Sequence, residues 1–112
     1  MNNPKFQMYE GKNGQFYFRL IAKNGQNILS SEGYSSKAAC KGGIESVKKN
    51  ASQDARYDCK EAKGGKHYFV LTAPNGEVVG SSQMYASTQT CKRGIEAVKR
   101  VAAEAGVEDA TG

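Results

Sequence analysis

The spacing of hydrophobic residues alternates along the chain between the period of a strand and the period of a helix. Apolar side chains recur at every second residue around 6–8, 16–22 and 67–73, the spacing of half-buried strands. Within 40–51 and 91–102 they recur at i, i+3, i+4 and i+7, which places them on one face of a helix. With a further short strand before each helix, around 27–31 and 78–82, the pattern predicts two β-β-β-α units.

Turn and capping residues mark the ends of these elements. Asn-Gly pairs at 24–25 and 75–76 predict two-residue hairpin turns of type I′, which need a positive φ at both central residues. Ser36 and Ser87 stand where a helix N-cap is expected, because their hydroxyl oxygens can accept from backbone N–H groups of the first turn. The residues between strand and helix are therefore predicted to serve turns and caps.

The two units are copies of each other. A shift of about 51 residues aligns Lys5–Ala51 with Arg56–Ala102 without a gap, and roughly 21 of 47 positions are identical. We predict a single domain over 1–112, with repeat one at 5–51, repeat two at 56–102, and a C-terminal strand or tail at 103–112. The short link after the first helix favours strand pairing between the units.

Neither unit is large enough to close a core alone. A stable solution is a single antiparallel sheet shared by both units, with the two helices packed on one of its faces. On the inner faces of those helices, Gly43 and Gly94 are predicted to allow a close approach to the sheet. Tyr34 and Tyr85 are predicted to pack over the corner between strand and helix. The predicted fold class is α+β by tandem duplication.

The repeated pattern "NG…SS…Y.S…C…GI…VK" resembles that of the YegP-like family of small bacterial proteins, over nearly the whole chain. The resemblance implies β-β-β-α-β units combined into one sheet, with terminal strands exchanged between the units. It implies no established activity and no catalytic residues, so it bears on the fold and not on the function.

Composition narrows the function classes. The chain has 112 residues and a net charge of +5, with neither a signal-peptide core nor an apolar run long enough to span a bilayer, so we expect a cytoplasmic protein and no membrane partner. Cys40, Cys59 and Cys91 form no C-x-x-C pair, which argues against a disulfide framework and a zinc site. The only histidine, His67, has no partner at a catalytic spacing. We therefore predict no enzyme, metal or cofactor.

A candidate binding surface lies on the face of the sheet that the helices leave open. Alternation along the strands sends a set of aromatic and basic side chains to this face. Such sets can stack on bases and neutralise phosphates of single-stranded nucleic acid, although tyrosine is also common on solvated sheet faces. The predicted surface comprises Tyr9, Tyr17, Arg19, Lys60 and Tyr68.

Three functions stay open at this point. The leading hypothesis is a small non-enzymatic interaction or binding module, with a protein partner or self-association through the open face. The second is single-stranded nucleic-acid binding through the open face and the basic helices. An enzyme with an unrecognised site ranks last.

Overall fold

A computed structural model describes residues 3–111, and it contains both units in a single seven-stranded sheet with two long helices. The first unit comprises β1 (Lys5–Glu10), β2 (Phe16–Ile21), β3 (Asn27–Ser30) and α1 (Lys37–Asn50). The second comprises β4 (Tyr57–Glu61), β5 (His67–Thr72), β6 (Val78–Ser81), α2 (Thr88–Glu104) and β7 (Gly106–Asp109). One-turn 3-10 helices at Asp54–Arg56 and Lys63–Gly65 precede β4 and β5. The predicted α+β fold is confirmed.

The strands follow the order β4-β5-β6-β3-β2-β1-β7, so the units meet at β3 and β6 in the centre of the sheet. There Ser30 pairs with Ser81, its equivalent in the other repeat, and a pseudo-twofold axis therefore passes between them. The two units are joined by strand pairing, as the sequence favours, through β3 with β6 and β1 with β7. The short link after α1 does not place β4 in either pairing. It carries the chain to the far edge of the sheet.

The C-terminal strand makes the sheet mixed. β7 leaves the end of α2 and pairs in parallel with β1 of the first unit, in a register that opposes Lys5 to Gly106 and Met8 to Asp109. All other strand pairs are antiparallel. A strand of the second unit thus covers the outer edge of the first unit. Gly112, the last residue of the predicted segment 103–112, lies outside the described residues. The repeat bounds of 5–51 and 56–102 stay a prediction.

One continuous core lies between the sheet and the helices. Alternate residues of β1 and β2 are fully buried, and the matching residues of β5 join the same cluster. Because both helices contribute to it, the opposite face of the sheet stays open to solvent. Among residues 3–111, the helices are too short or too polar to form a membrane span. The core includes Phe6, Met8, Phe18, Leu20, Ile44, Val47, Phe69, Leu71 and Val98.

The hairpin turns lie where the Asn-Gly pairs predict them, but the predicted type I′ geometry is wrong. Gly25 has a φ of +85°, whereas no non-glycine residue among 3–111, Asn24 included, has a positive φ. Ala22 donates to Gln26, and Gly25 donates back to Ala22, both at 2.9 Å. The loop therefore holds three residues and ends on a left-handed glycine, an arrangement that needs a positive φ only there. The loop at 73–77 repeats it.

Both predicted N-caps are confirmed. The Ser36 hydroxyl accepts from the backbone N–H of Ala39 at 3.1 Å, and that of Ser87 accepts from Thr90 at 3.2 Å. In α2 the Thr90 hydroxyl also receives the N–H of Ser87, which completes a reciprocal capping arrangement. Both helices therefore begin at equivalent positions of the repeat.

Candidate functional site

Three of the predicted surface residues form one cluster on the open face of the sheet. The rings of Tyr9 and Tyr17 stack with centroids 5.7 Å apart and an angle of 20° between their planes. The guanidinium carbon of Arg19 lies 4.6 Å from the centroid of the Tyr9 ring, within cation–π range. We call Tyr9, Tyr17 and Arg19 the open-face cluster. All three are half-buried, since each covers part of its neighbours.

Hydrogen bonds connect the open-face cluster to the C-terminal strand. Arg19 donates through Nε to the Gln7 amide oxygen at 2.8 Å, and the Gln7 amide nitrogen donates to Glu108 at 2.8 Å. Lys5 reaches the other carboxylate oxygen of Glu108 at 3.0 Å. The bond from Gln7, and then that from Lys5, lowers the pKa of the Glu108 carboxyl. The guanidinium of Arg19 and the ammonium of Lys5 are thus already engaged within the protein.

The other two predicted surface residues lie elsewhere on the same face. Lys60 and Tyr68 oppose each other across β4 and β5, and the Lys60 ammonium is 3.3 Å from the carboxylate of Asp58. β6 and β3 separate them from β2, a distance of three strand spacings or roughly 14 Å. The five predicted residues therefore form two groups. Within residues 3–111 the Tyr9–Tyr17 stack has no counterpart in the second repeat, because Lys60 occupies the position equivalent to Tyr9. The cation–π contact has none either, because Val70 occupies the position equivalent to Arg19.

The net charge of the protein is concentrated on the helices. α1 and α2 contain eight of the 16 basic residues and three of the 11 acidic residues, so they account for the entire net charge of +5. The rest of the chain is neutral overall. Two of the eight basic side chains have ion-pair partners, Lys37 with Asp109 and Lys99 with Asp54 and Glu96. The other six are exposed, and we call them the basic helical layer: Lys41, Lys48, Lys49, Lys92, Arg93 and Arg100.

The open-face cluster and the basic helical layer lie on opposite sides of the sheet. Tyr17 and Arg19 alternate along β2 with Phe18 and Leu20, whose side chains are fully buried against the helices. A short segment of bound polymer can therefore contact one surface or the other, but not both. The predicted cooperation of aromatic sheet and basic helices in one binding site does not fit this geometry.

Two cysteines that the sequence leaves unrelated are neighbours in the fold. The Sγ atom of Cys91 in α2 lies 3.6 Å from that of Cys59 in β4, and all three cysteines are free thiols. Cys40 and Cys91 are fully buried, whereas Cys59 is exposed. Burial raises the pKa of Cys40 to about 11, and burial together with the hydrogen bond to Cys59 does the same for Cys91.

This cysteine pair escaped sequence reasoning because 32 positions separate its members. A usable signal was nevertheless present in the repeat alignment. Cys91 is equivalent to Cys40, and Cys59 is equivalent to Met8, which lies on the same inward-facing side of its strand. Since inward residues of the first strand contact the helix in this fold, the alignment could have placed the two thiols together.

Among residues 3–111, the histidine and the carboxylates outside the surfaces described above form no assembled catalytic group. The backbone of His67 bridges to that of Tyr85, and the imidazole occupies the position of Phe16 in the other repeat. Over residues 3–111, no three or more His, Cys, Asp or Glu side chains are grouped as metal ligands would be. An open concavity of about 570 Å³ lies where β1 meets β7, and its charged lining is mixed: Lys5, Lys23, Glu104 and Glu108.

In the comparison with protein-family models, one family matches two segments of the chain. The family described as a domain of unknown function, DUF1508, matches residues 11–58 and again residues 62–109. The two matches cover most of the chain, and they agree with the tandem duplication seen in the sheet.

Similar proteins match nearly the whole length of this chain. It is 50% identical to UPF0339 protein PA0329 of Pseudomonas aeruginosa, over 94% of this chain and 96% of that protein. It is 44% identical to UPF0339 protein YegP of Escherichia coli K12, over 95% and 96%. The solution structure of E. coli yegP, described as a protein of unknown function, superposes with a TM-score of 0.92 at 43% identity, covering 100% and 97% of the two chains. A second solution structure, UPF0339 protein SO3888 of Shewanella oneidensis, gives 0.90 at 39% identity, over 98% and 93%.

Proposed function

This chain belongs to the DUF1508 family, whose function is unknown, and we propose that it is a non-enzymatic cytoplasmic binding module for the phosphate backbone of nucleic acid. The proposed site is the basic helical layer. The proposal covers the single-stranded nucleic acid that the sequence analysis gave as its second hypothesis. It extends to duplexes, because contacts to phosphates recognise charge and carry no base information.

The distribution of charge carries this proposal. The helices hold the whole net charge of the protein, and six of their eight basic side chains are exposed without an acidic partner within 4.0 Å among residues 3–111. The layer also follows the duplication, since Lys41 is equivalent to Lys92 and Lys49 to Arg100. Both helices lie on one side of the sheet, and Lys and Arg side chains gathered on one side of a domain are the electrostatic feature of nucleic-acid-binding proteins.

The open-face cluster is a weaker site for the same ligand. The stacked faces of Tyr9 and Tyr17 are turned toward each other, and Arg19 is bonded to Gln7. A base that stacked here would have to separate the rings or displace the guanidinium. Lys5 on the same face is paired with Glu108, so little positive charge is free to attract phosphates.

A pair of charge-matched variants tests the proposal. Fluorescence anisotropy with a labelled oligonucleotide, in single-stranded and duplex form, would follow binding over a range of salt concentrations. Each phosphate contact contributes roughly 0.7 to the slope of log K against log salt for a single strand, so removing four contacts lowers the slope by about 3. The helix variant is Lys41→Gln, Lys49→Gln, Lys92→Gln and Arg100→Gln. The control variant is Lys12→Gln, Lys23→Gln, Lys63→Gln and Lys66→Gln, at exposed positions outside the two long helices.

We expect the helix variant to lose affinity and slope while the control variant keeps most of both. An equal loss in the two would mean that net charge, and not the helical layer, governs binding. A third variant, Tyr17→Ala with Arg19→Ala, removes the open-face cluster and should bind as the unaltered protein does. Loss of binding in that variant alone would move the site to the open face.

A further inference from the structure

We propose that Cys59 and Cys91 form a redox-active dithiol, in which Cys59 reacts first with a small-molecule disulfide and Cys91 then closes an internal disulfide. The proposal is independent of nucleic-acid binding, since it concerns the edge strand β4 and the inner side of α2. It assigns a modification site to the second repeat alone.

The contact between the two sulfur atoms carries the proposal. They lie 3.6 Å apart, and a disulfide needs about 2.05 Å, so they must approach by only about 1.5 Å. β4 is the last strand of the sheet and pairs only with β5 within residues 3–111. An edge strand with one neighbour can shift by this amount more easily than a central strand can.

The differing exposure of the two thiols sets the order of reaction. Cys59 is exposed and can meet a dissolved oxidant, whereas Cys91 is 0% exposed and can meet only Cys59. Burial also raises the pKa of Cys91, which keeps that thiol protonated and unreactive toward outside reagents. Cys59 is thus the entry point, and Cys91 is the resolving thiol.

The first repeat shows what is missing where no such pair forms. Cys40 is equivalent to Cys91, but its partner position holds Met8, which is fully buried. The outer edge of β1 is covered by β7, whereas β4 has no strand on its outer side within residues 3–111. The second repeat therefore has both the second thiol and the access that the first repeat lacks.

The reaction with oxidised glutathione balances in two exchange steps. The Cys59 thiolate attacks one sulfur of the glutathione disulfide, forms a mixed disulfide and releases one glutathione thiolate. The Cys91 thiol then attacks Cys59 Sγ, its proton passes to the departing glutathione sulfur, and the second glutathione leaves as the thiol. Two electrons pass from the protein dithiol to glutathione, which is reduced, and the protein is left with one Cys59–Cys91 disulfide.

The natural protein is the direct test, because trypsin places each cysteine in a different peptide. The cysteines at 40, 59 and 91 fall in the peptides 38–41, 57–60 and 67–92. The protein is incubated with about 1 mM oxidised glutathione near pH 8, quenched with acid, and mapped without reduction. We expect a mass loss of about 2 Da, a fall from three free thiols to one, and a joined pair of peptides 57–60 and 67–92.

Two variants serve as controls. Cys40→Ala removes the cysteine of the first repeat and should form the same disulfide as the natural protein. Cys59→Ser should keep both of its buried thiols under the same conditions, because no thiol is left at the surface. Three results would overturn the proposal: three thiols retained by the natural protein, a glutathione adduct that persists on Cys59, or a dimer joined through Cys59.

Discussion

Leu29 and Gly80 hold equivalent positions in the two repeats, and the Leu29 side chain fills the space that a Gly80 side chain would occupy. A Cβ atom on Gly80 would lie 2.8 Å from Cγ of Leu29, which is 1% exposed. The pseudo-twofold axis passes close by, between Ser30 and Ser81. One large side chain fits at the axis and two do not, so the duplicated units must differ here.

The fit at the axis predicts energetic coupling between the two positions. Gly80→Ala should lower the free energy of unfolding by about 1–3 kcal/mol through overpacking, and Leu29→Ala by about 2–5 kcal/mol through a cavity. In the double variant the added methyl group no longer meets the Leu29 side chain. The double variant should therefore lose at least about 1 kcal/mol less free energy of unfolding than the two single variants lose together. Urea unfolding of the four proteins measures this difference. Strict additivity would show that the two residues do not share one space.

A similar fit occurs where each helix meets the sheet. A Cβ atom on Gly43 would lie 2.6 Å from Cζ of Tyr34, and one on Gly94 would lie 2.6 Å from Cζ of Tyr85. Although alanine favours a helix by about 1 kcal/mol over glycine, Gly43→Ala and Gly94→Ala should each destabilise the protein by about 1–3 kcal/mol. Thermal or urea unfolding measures the change.

The matched control is the neighbouring Gly42, whose Cβ would meet nothing within 4 Å. Gly42→Ala should therefore stabilise the protein by up to about 1 kcal/mol through helix propensity alone. If all three alanine variants changed stability in the same direction, the tyrosine contacts would not explain why both repeats have glycine at the positions of Gly43 and Gly94.

Much of this packing could be predicted from the sequence, because each repeat contains the same turn, capping and helix-packing residues. Short-range spacing within a single repeat predicts the N-caps at Ser36 and Ser87. The same spacing predicts the close approach of helix and sheet at Gly43 and Gly94. The repeated apolar period then requires one sheet with two helices on one face. Family resemblance added the exchange of terminal strands, which places β7 beside β1.

Long-range placement is where sequence reasoning stopped. Two similar three-stranded units can join into one sheet in several strand orders. The residues of β4 do not indicate that this strand lies at the edge of the sheet. For that reason the single surface predicted from Tyr9 to Tyr68 became two groups. The Cys59–Cys91 contact lies within the second repeat, and the 32 positions between its members concealed it. The turn type was missed because an Asn-Gly pair fits both a two-residue and a three-residue loop.

The C-terminal strand should be held more weakly in acid. The pKa of Glu108 is lowered by hydrogen bonds from Gln7 and Lys5, and that of Asp109 by bonds from Thr111 and by Lys37. A carboxyl with a lowered pKa in the folded state adds stability above its unfolded pKa, and this contribution is lost as the pH falls through the folded value. We expect the pairing of β7 to weaken below roughly pH 4.

Hydrogen exchange at Ala110 measures this effect, since its N–H donates to the Met8 carbonyl at 2.8 Å. Its protection factor should fall as the pH is lowered in the natural protein. The double variant Glu108→Gln with Asp109→Asn should show low protection that varies little over the same range. A parallel fall in both proteins would assign the pH dependence to other groups.

Oxidation of the cysteine pair should stabilise the fold. Closing a loop across the 32 positions between Cys59 and Cys91 raises the free energy of unfolding by up to about 3–4 kcal/mol in the chain-entropy description. Urea unfolding after treatment with oxidised glutathione should show a higher midpoint in the natural protein and in Cys40→Ala. The midpoint of Cys59→Ser should not move, and an unchanged midpoint in the oxidised natural protein would indicate a strained bond.

The most direct test of the binding surface is a two-dimensional NMR titration of the ¹⁵N-labelled protein with a short oligonucleotide. We expect shifts of the backbone amides of Lys41, Lys49, Lys92 and Arg100 and of their neighbours in α1 and α2, and we expect these shifts to diminish as salt is added. The amides of Tyr9, Tyr17 and Arg19 should stay in place. Shifts confined to those three, or no shifts at low salt, would contradict binding through the helices.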